Sequence, residues 1–148
     1  MQHKTALRIR RAKPADAPRL AELSGQLGYP ATSRDIARRM RRLASPLRDA
    51  LFVAEASEAG VVGWIHVSVN HLLEVGTRAE INGLVVAEGH RSLGAGARLL
   101  DAAESWARAR GCPAMSVRSN VIRERAHRFY ERQGYEHFKT QKAFRKPI

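Results

Sequence analysis

The sequence predicts a mixed α/β fold, with a twisted sheet of six to seven strands flanked by about four helices. Apolar and polar residues alternate in several short segments, whereas four longer segments repeat apolar residues at helical spacing. The segments follow the order β-α-α-β-β-β-α-β-α-β, which is typical of a sheet covered by helices. With 148 residues, of which 44% are hydrophobic, the chain can bury one core. We therefore expect residues 1–148 to form a single domain.

The first part of the chain predicts one strand and two helices. Residues 7–10 alternate as a strand, and Asp16 is placed to cap a helix that runs to about Leu27. Thr32 or Ser33 can cap the next helix, whose apolar residues fall on one stripe.

The rest of the chain predicts a hairpin followed by alternating strands and helices. The turn at residues 57–60 makes its two flanking strands antiparallel, and the later helices make crossover connections between parallel strands. The predicted strands are 51–56, 61–69, 77–86, 115–118 and 135–144, and the predicted helices are 94–110 and 123–133.

Composition narrows the choice of partner and compartment. The net charge of +12 favours anionic partners such as a phosphate-rich cofactor, an acidic protein or nucleic acid. The arginine-rich stretch 38–42 is also typical of a solvated surface. No apolar run is long enough to span a membrane, and we see no signal peptide. Cys112 is the only cysteine, and the histidines lack metal-ligand spacing, so we expect a cytoplasmic protein without a metal.

The turn between a predicted strand and a long helix has the properties of an anion site. A diphosphate requires backbone amides, little side-chain bulk and the positive end of a helix dipole. Gly94 and Gly96 remove the bulk, Arg91 adds a cation, and Leu93 can anchor the turn to the core. An ordinary strand-to-helix turn would use similar residues, so this turn alone does not distinguish an anion site from a structural turn.

Asn82-Gly83 interrupts the preceding strand. Glycine within a strand often marks a bulge or a close backbone approach. A bulge here would turn the amides of Leu84, Val85 and Val86 towards an amide-rich ligand, which can pair with a strand edge. The alternative is a bulge that serves packing only.

Asn120 and Tyr130 lie on either side of a strand end and the following helix. Asn120 offers a donor and an acceptor, although it also suits a turn cap. Tyr130 can donate a proton to a leaving group at the end of a groove, although it also suits an ordinary half-buried position.

Taken in order, these motifs resemble those of the GNAT superfamily of N-acetyltransferases. Its phosphate-binding pattern of Arg or Gln, two residues, Gly, one residue, then Gly or Ala is matched by residues 91–96. Its later pattern of Asn, a run with Ala, an aromatic-Tyr pair and Gly before an aromatic is matched between Asn120 and Tyr135. The predicted order of elements is similar to that family's fold over nearly the whole chain.

The resemblance implies that acetyl-CoA binds between the strand ending near Val86 and the strand ending near Arg118. Leu84 and Val86 would offer backbone groups to the acetyl carbonyl and the pantetheine, with Asn120 contacting the pantetheine arm and Tyr130 acting as general acid. Amides near Val85 would stabilise the oxyanion of a tetrahedral intermediate. The residues expected to hold the pyrophosphate are Arg91, Ser92, Leu93, Gly94, Ala95, Gly96 and Ala97.

Several groups are candidates for the general base. Glu80 lies where some family members carry a catalytic glutamate, but it also suits a surface salt bridge. A water chain can replace a side chain, and His66 or His71 can take part.

The resemblance leaves the acceptor open. We expect a small-molecule or amino-acid-like amine, with a protein N-terminal or lysine amine as the alternative. A non-catalytic acyl-CoA-binding module and a nucleic-acid-binding module are alternatives of another class, although the few aromatic residues speak against nucleic acid. Family members often form dimers, so we expect a homodimer.

Overall fold

A computed structural model describes residues 6–43 and 45–148, with Ser92 described by its backbone only. Its contacts group into two compact units, one ending at Val117 and the other spanning Arg118–Ile148. The strands are β1 (Leu7–Arg11), β2 (Asp49–Ala56), β3 (Gly60–Leu72), β4 (Gly76–Val86) and β5 (Met115–Val117). The helices are α1 (Ala17–Gln26), α2 (Ser33–Arg42), α3 (Ala95–Ala109) and α4 (Glu124–Arg132).

The first unit contains a five-stranded mixed sheet in the order β1-β2-β3-β4-β5. β1 to β4 pair antiparallel, as the predicted hairpin requires. β5 pairs parallel to β4, as expected when α3 makes a crossover between them. The predicted fold class is therefore confirmed, with fewer strands than predicted.

Helices cover both faces of this sheet. Leu20 and Leu23 of α1 pack with Val53, Val61 and Val85 in the core of one face. On β3, Trp64 packs against this core. The adjacent Gly63 points to the other face, where a Cβ would lie 3.2 Å from Leu99 of α3. Successive residues of β3 thus separate the α1 side from the α3 side.

The two helix caps predicted for α1 and α2 have different outcomes. Thr32 caps α2, because its Oγ1 accepts a hydrogen bond from the Asp35 amide at 3.0 Å. Asp16 stands at the N-cap position of α1, as predicted, but its side chain makes no capping hydrogen bond. Its carboxylate instead binds the Arg10 guanidinium at 2.9 Å and the Lys13 amide at 2.7 Å. The charged partner and the turn outcompete the amides of α1 for the same oxygens.

The predicted strand at 135–144 is wrong, since residues 135–148 contain neither helix nor strand. The segment alternates polar and apolar residues, but Phe138 is 68% and Phe144 is 91% exposed. A strand derives its stability from pairing and from burying one face, and this segment buries neither phenylalanine. Among the described residues, no helix is long and apolar enough to cross a membrane.

Candidate active site

β4 carries a bulge at the predicted position. His66 of β3 faces Gly83, but the next β3 residue, Val67, faces Ile81. Asn82 is thus the extra residue of β4. A Cβ at position 83 would come within 2.7 Å of two Trp64 ring atoms, so glycine leaves room for the indole. Packing of the Trp64 ring over Gly83 therefore accompanies the bulge, and the bulge also changes the direction of the backbone groups in the strand that follows.

Beyond the bulge, alternate residues of β4 direct their backbone groups away from β3. The Ala87 amide donates to the Val62 carbonyl at 2.7 Å, and the register from there back to Gly83 is continuous. In an antiparallel ladder, hydrogen-bonded pairs alternate with pairs that are not hydrogen-bonded. Because Ala87 is hydrogen-bonded to β3, Val85, two residues earlier, also directs its N–H and C=O towards β3. Leu84 and Val86 point their N–H and C=O to the opposite edge. The ladder thus assigns the outward positions to Leu84 and Val86 rather than to Val85.

That opposite edge carries a partner strand over only part of β4. β5 pairs with β4 from Ala79 to Ile81 and ends at Val117. From Gly83 to Val86, β4 pairs with β3 alone among the described strands, and the bulge residue Asn82 has no direct partner on either side. The outward groups of Leu84 and Val86 therefore lie on a strand edge that can accept an extended ligand.

The candidate anion turn follows directly. A 3-10 helix over Glu88–Leu93 contains the backbone of Ser92 and the half-buried Leu93. Gly94 then adopts φ +77°, a conformation that favours glycine, and α3 begins at Ala95. The Arg98 amide donates to the Gly94 carbonyl at 3.2 Å as the first bond of the helix. The amides of Ala95, Gly96 and Ala97 precede it and have no acceptor within the helix.

Arg91 joins the turn to the end of β4. Its side chain is exposed, and its Nε donates to the Val86 carbonyl at 3.3 Å. A guanidinium carries five donors, so this one bond leaves the others for an anion. The first unit thus brings together Leu84, Val86, Arg91 and the start of α3 along one continuous stretch.

Glu80 is half-buried on β4, two residues before the bulge. Its Oε2 accepts a hydrogen bond from Asn70 Nδ2 at 3.0 Å. Ser68 lies opposite Glu80 on β3, and Ser116 lies opposite it on β5. These directly paired residues share one face of the sheet, so Glu80 belongs to a polar row.

The two histidines near this row have partners of their own. His66 Nε2 lies 2.9 Å from Asp49 Oδ1, and His71 Nδ1 lies 2.8 Å from Thr77 Oγ1. His66 is therefore turned towards β2. Within residues 6–43 and 45–148, no group of three or more His, Cys, Asp or Glu side chains is arranged to hold a metal ion.

The second unit contains the other two predicted residues. Asn120 is exposed, and its Oδ1 accepts from the Ile122 amide at 3.1 Å. Its carbonyl accepts from the Arg123 amide and from His127 Nε2. Asn120 thus caps the turn before α4, the alternative considered above. The turn uses the side-chain oxygen, whereas the side-chain nitrogen remains a donor suited to an amide-rich ligand.

Tyr130 is half-buried on α4 among aromatic rings. Its ring meets Phe129 edge-on at 5.3 Å between centroids and Tyr135 at 5.8 Å. Burial raises the pKa of Tyr130 to about 12, although Arg123 opposes the shift. The phenol therefore keeps its proton throughout the neutral and moderately alkaline range, as a proton donor requires.

Comparison with known proteins identifies the family. Residues 19–135 match the acetyltransferase (GNAT) family, and the chain belongs to it. Over 144 residues it is 29% identical to an aminoglycoside N(6')-acetyltransferase type 1 of Stenotrophomonas maltophilia, covering 95% of this chain and 93% of the relative. Over 86 residues it is 40% identical to an aminoalkylphosphonate N-acetyltransferase of Salmonella typhimurium, covering 56% of each. The protein is thus an acetyl-CoA-dependent N-acetyltransferase that acts on amines.

Solved structures share the fold. An aminoglycoside N-acetyltransferase in complex with CoA superposes with a TM-score of 0.87 at 18% identity, covering 100% of this chain and 99% of that one. An aminoglycoside 6'-N-acetyltransferase from Acinetobacter baumannii gives 0.85 at 16% identity, covering 97% and 99%. At such identities the likeness concerns the fold.

Proposed function

We propose that this enzyme binds acetyl-CoA along the outward edge of β4 and transfers the acetyl group to a small-molecule amine by direct attack. One observation carries this proposal. The edge formed by Leu84 and Val86 continues through Arg91 into the start of α3, so amide-binding and anion-binding groups follow each other without a break. This matches the order of groups in acetyl-CoA, whose thioester and pantetheine amides precede its pyrophosphate.

The start of α3 and its turn form the pyrophosphate site in this proposal. The amides of Ala95, Gly96 and Ala97 supply donors at the positive end of a 15-residue helix, and Arg91 supplies a full charge. Residues 92–94 shape the turn. Leu84 and Val86 pair with the pantetheine amides as a further strand would, and Asn120 contacts the pantetheine arm.

The proposed reaction proceeds by direct attack and requires no covalent enzyme intermediate. The neutral amine attacks the thioester carbonyl, a C–N bond forms, and outward amides of β4 near Val85 stabilise the resulting oxyanion. The tetrahedral intermediate collapses as the C–S bond breaks, and Tyr130 donates its phenolic proton to the CoA thiolate. The proton that the new amide nitrogen then loses passes through water to the tyrosinate, which restores the phenol. Glu80 takes the proton that the ammonium group loses, directly or through water.

The relatives support a small acceptor. They are an aminoglycoside and an aminoalkylphosphonate acetyltransferase, and both names denote small amines. The net charge of +12 disfavours a polycationic acceptor at long range, so an amine that also carries an anionic group is our first choice. A protein N-terminal or lysine amine is the second candidate.

A thiol-release assay with an amine panel tests this function. The panel should contain aminoalkylphosphonates, amino acids, aminoglycosides, polyamines and a lysine peptide, each with acetyl-CoA. We expect turnover with a small amine above the rate of acetyl-CoA hydrolysis. Acetyl-CoA binding without amine-dependent thiol release anywhere in the panel would contradict the choice of acceptor, and absence of binding would contradict the donor site.

We further propose that residues 1–148 act as one N-acetyltransferase domain in a cytoplasmic homodimer. The family match supports a single domain, because it runs across the boundary between the two compact units. The buried, single Cys112 is compatible with a reducing compartment. Light scattering coupled to size-exclusion chromatography tests the dimer, which a monomeric mass would exclude.

A further inference from the structure

The bulge in β4 must hold one register if Leu84 and Val86 are to face outward. A strand that slips by one residue reverses the direction of every group along it. In β4 such a slip would turn Val85 to the outer edge and the groups of Leu84 and Val86 towards β3. The extra residue, Asn82, therefore needs a restraint that distinguishes it from its neighbours.

Ser68 provides one restraint. This serine is only 8% exposed on β3, and its hydroxyl accepts a hydrogen bond from Asn82 Nδ2 at 2.7 Å. Asn82 itself is exposed. A short bond to a buried hydroxyl thus holds the one β4 residue that has no direct partner on β3.

Trp64 provides a second restraint from the same strand. Its Cα lies opposite Val85, but its ring reaches the backbone at Gly83, where a Cβ would approach it to 2.7 Å. Among the described residues, the indole Nε1 is buried without a hydrogen-bond acceptor. The indole thus stays in this place although its N–H lacks a hydrogen-bond acceptor, which is energetically costly. We therefore attribute its position to packing over the bulge.

We propose that Ser68 and Trp64 are positioning residues that fix the register of the β4 bulge and so direct the backbone groups of Leu84 and Val86 to the pantetheine of acetyl-CoA. Ser68 holds Asn82, and Trp64 occupies the space over Gly83. Neither side chain takes part in the chemical step. The proposal rests on the proposed function, since it assumes that pantetheine pairs with β4.

Two probes separate positioning from general damage. CoA contains pantetheine and pyrophosphate, whereas 3′-phospho-ADP contains the pyrophosphate without the pantetheine. In calorimetry, Ser68→Ala should bind CoA about tenfold more weakly, the order expected when a buried hydrogen bond is lost. Its affinity for 3′-phospho-ADP should remain that of the wild type. Ser24→Ala removes another buried serine hydroxyl, on α1, and should change neither affinity.

Asn82→Ala gives the same test from the exposed partner, where folding is not at risk. It should reproduce the selective loss of CoA affinity, and Ser68→Ala/Asn82→Ala should lose no more than either single variant. Equal losses for both probes, or additive losses in the double variant, would overturn the role of Ser68.

Gly83→Ala tests Trp64 by suppression. The added methyl group collides with the indole, so CoA affinity should fall about tenfold or more while 3′-phospho-ADP binding is kept. Adding Trp64→Leu removes the collision and should restore part of the lost CoA affinity. Trp64→Leu alone should also weaken CoA binding and leave 3′-phospho-ADP binding unchanged. An unchanged CoA affinity in this single variant would overturn the role of Trp64.

Binding of the two probes to the wild-type protein separates a failure of the cofactor site from a failure of the positioning role. If it binds 3′-phospho-ADP as tightly as CoA, pantetheine gains nothing from β4 and the proposed function fails at that point. If it prefers CoA and Ser68→Ala keeps the full preference, the cofactor site stands and the positioning role is wrong.

Discussion

The two halves of β4 have opposite surroundings. In the paired half, Ala79 to Ile81 have partners on both edges, whereas in the open half Gly83 to Val86 have β3 alone among the described strands. The first half carries Glu80, and the second carries the outward groups of Leu84 and Val86. The candidate cofactor edge therefore arises where β4 continues beyond the end of β5, and the bulge at Asn82 marks this point.

The largest effect should come from the turn at which the open half ends. Gly94→Val should weaken acetyl-CoA binding by about a hundredfold, because a β-branched residue resists φ +77° and crowds the α3 amides. Gly111 has φ +76° at the other end of α3 and provides a matched control. Gly111→Val should lower the melting temperature similarly and leave binding intact. Equal binding losses in both variants would show that strain alone is responsible.

Tyr130→Phe should lower kcat by about a hundredfold with little change in the KM for acetyl-CoA, as expected for loss of a general acid. Because burial raises the pKa of Tyr130 to about 12, the phenol stays protonated and able to donate at lower pH values. The wild-type kcat should therefore show no tyrosine-linked decline below about pH 11.

Tyr135→Phe is the control for Tyr130, since it keeps the ring that packs edge-on against it. This variant should retain the wild-type kcat. A Tyr130→Phe enzyme with an unaltered rate across the pH range would remove the proposed acid.

Glu80→Gln tests the paired half of β4 and should have a smaller effect, about tenfold in kcat/KM. The loss should be greatest at low pH, where most of the amine is protonated and needs a base. Glu58→Gln in the exposed β2–β3 turn is the control. A pH profile of Glu80→Gln that parallels the wild type would favour a water chain instead.

The smallest effect on activity should come from the far edge of the sheet. Arg10 binds Asp16 through two hydrogen bonds at 2.9 and 3.0 Å, and Arg10 thereby lowers the pKa of Asp16. Asp16→Asn should cost about 2 kcal/mol of unfolding free energy at neutral pH while leaving kcat unchanged.

The pH dependence follows from the sign of that shift. A carboxylate with a lowered pKa stabilises the fold above its unfolded pKa, and the stabilisation is lost as pH falls through the folded pKa. The difference between wild type and Asp16→Asn, measured by urea unfolding, should therefore shrink below about pH 4. Glu22→Gln at the exposed Arg19 pair should cost no more than about 0.5 kcal/mol. A constant difference for Asp16→Asn down to pH 2 would contradict the ionic origin.

The sequence predicted those parts of the site that depend on local patterns. Asn82-Gly83 indicated the bulge, and Gly94 indicated the turn before α3. Glycine is informative at such positions because it allows a close approach or a backbone conformation that other residues resist. The Ser68–Asn82 bond and the Trp64 ring over Gly83 could not be predicted, since both depend on the register between β3 and β4. The Asp16 side chain makes no capping bond because Arg10 and the Lys13 amide bind its oxygens. Segment 135–144 forms no strand because it buries neither of its phenylalanines. In both cases the outcome depends on partners that the local pattern does not contain.

Amide hydrogen exchange resolved at single residues tests the central claim most directly. Without CoA, the amides of Leu84 and Val86 should exchange much faster than that of Val85, which bonds towards β3. Saturating CoA should slow exchange at Leu84, Val86 and the first amides of α3, and leave Val85 slow throughout. Unchanged exchange at Leu84 and Val86 on CoA binding, or protection at Val85 in their place, would contradict a cofactor paired along the outward edge of β4.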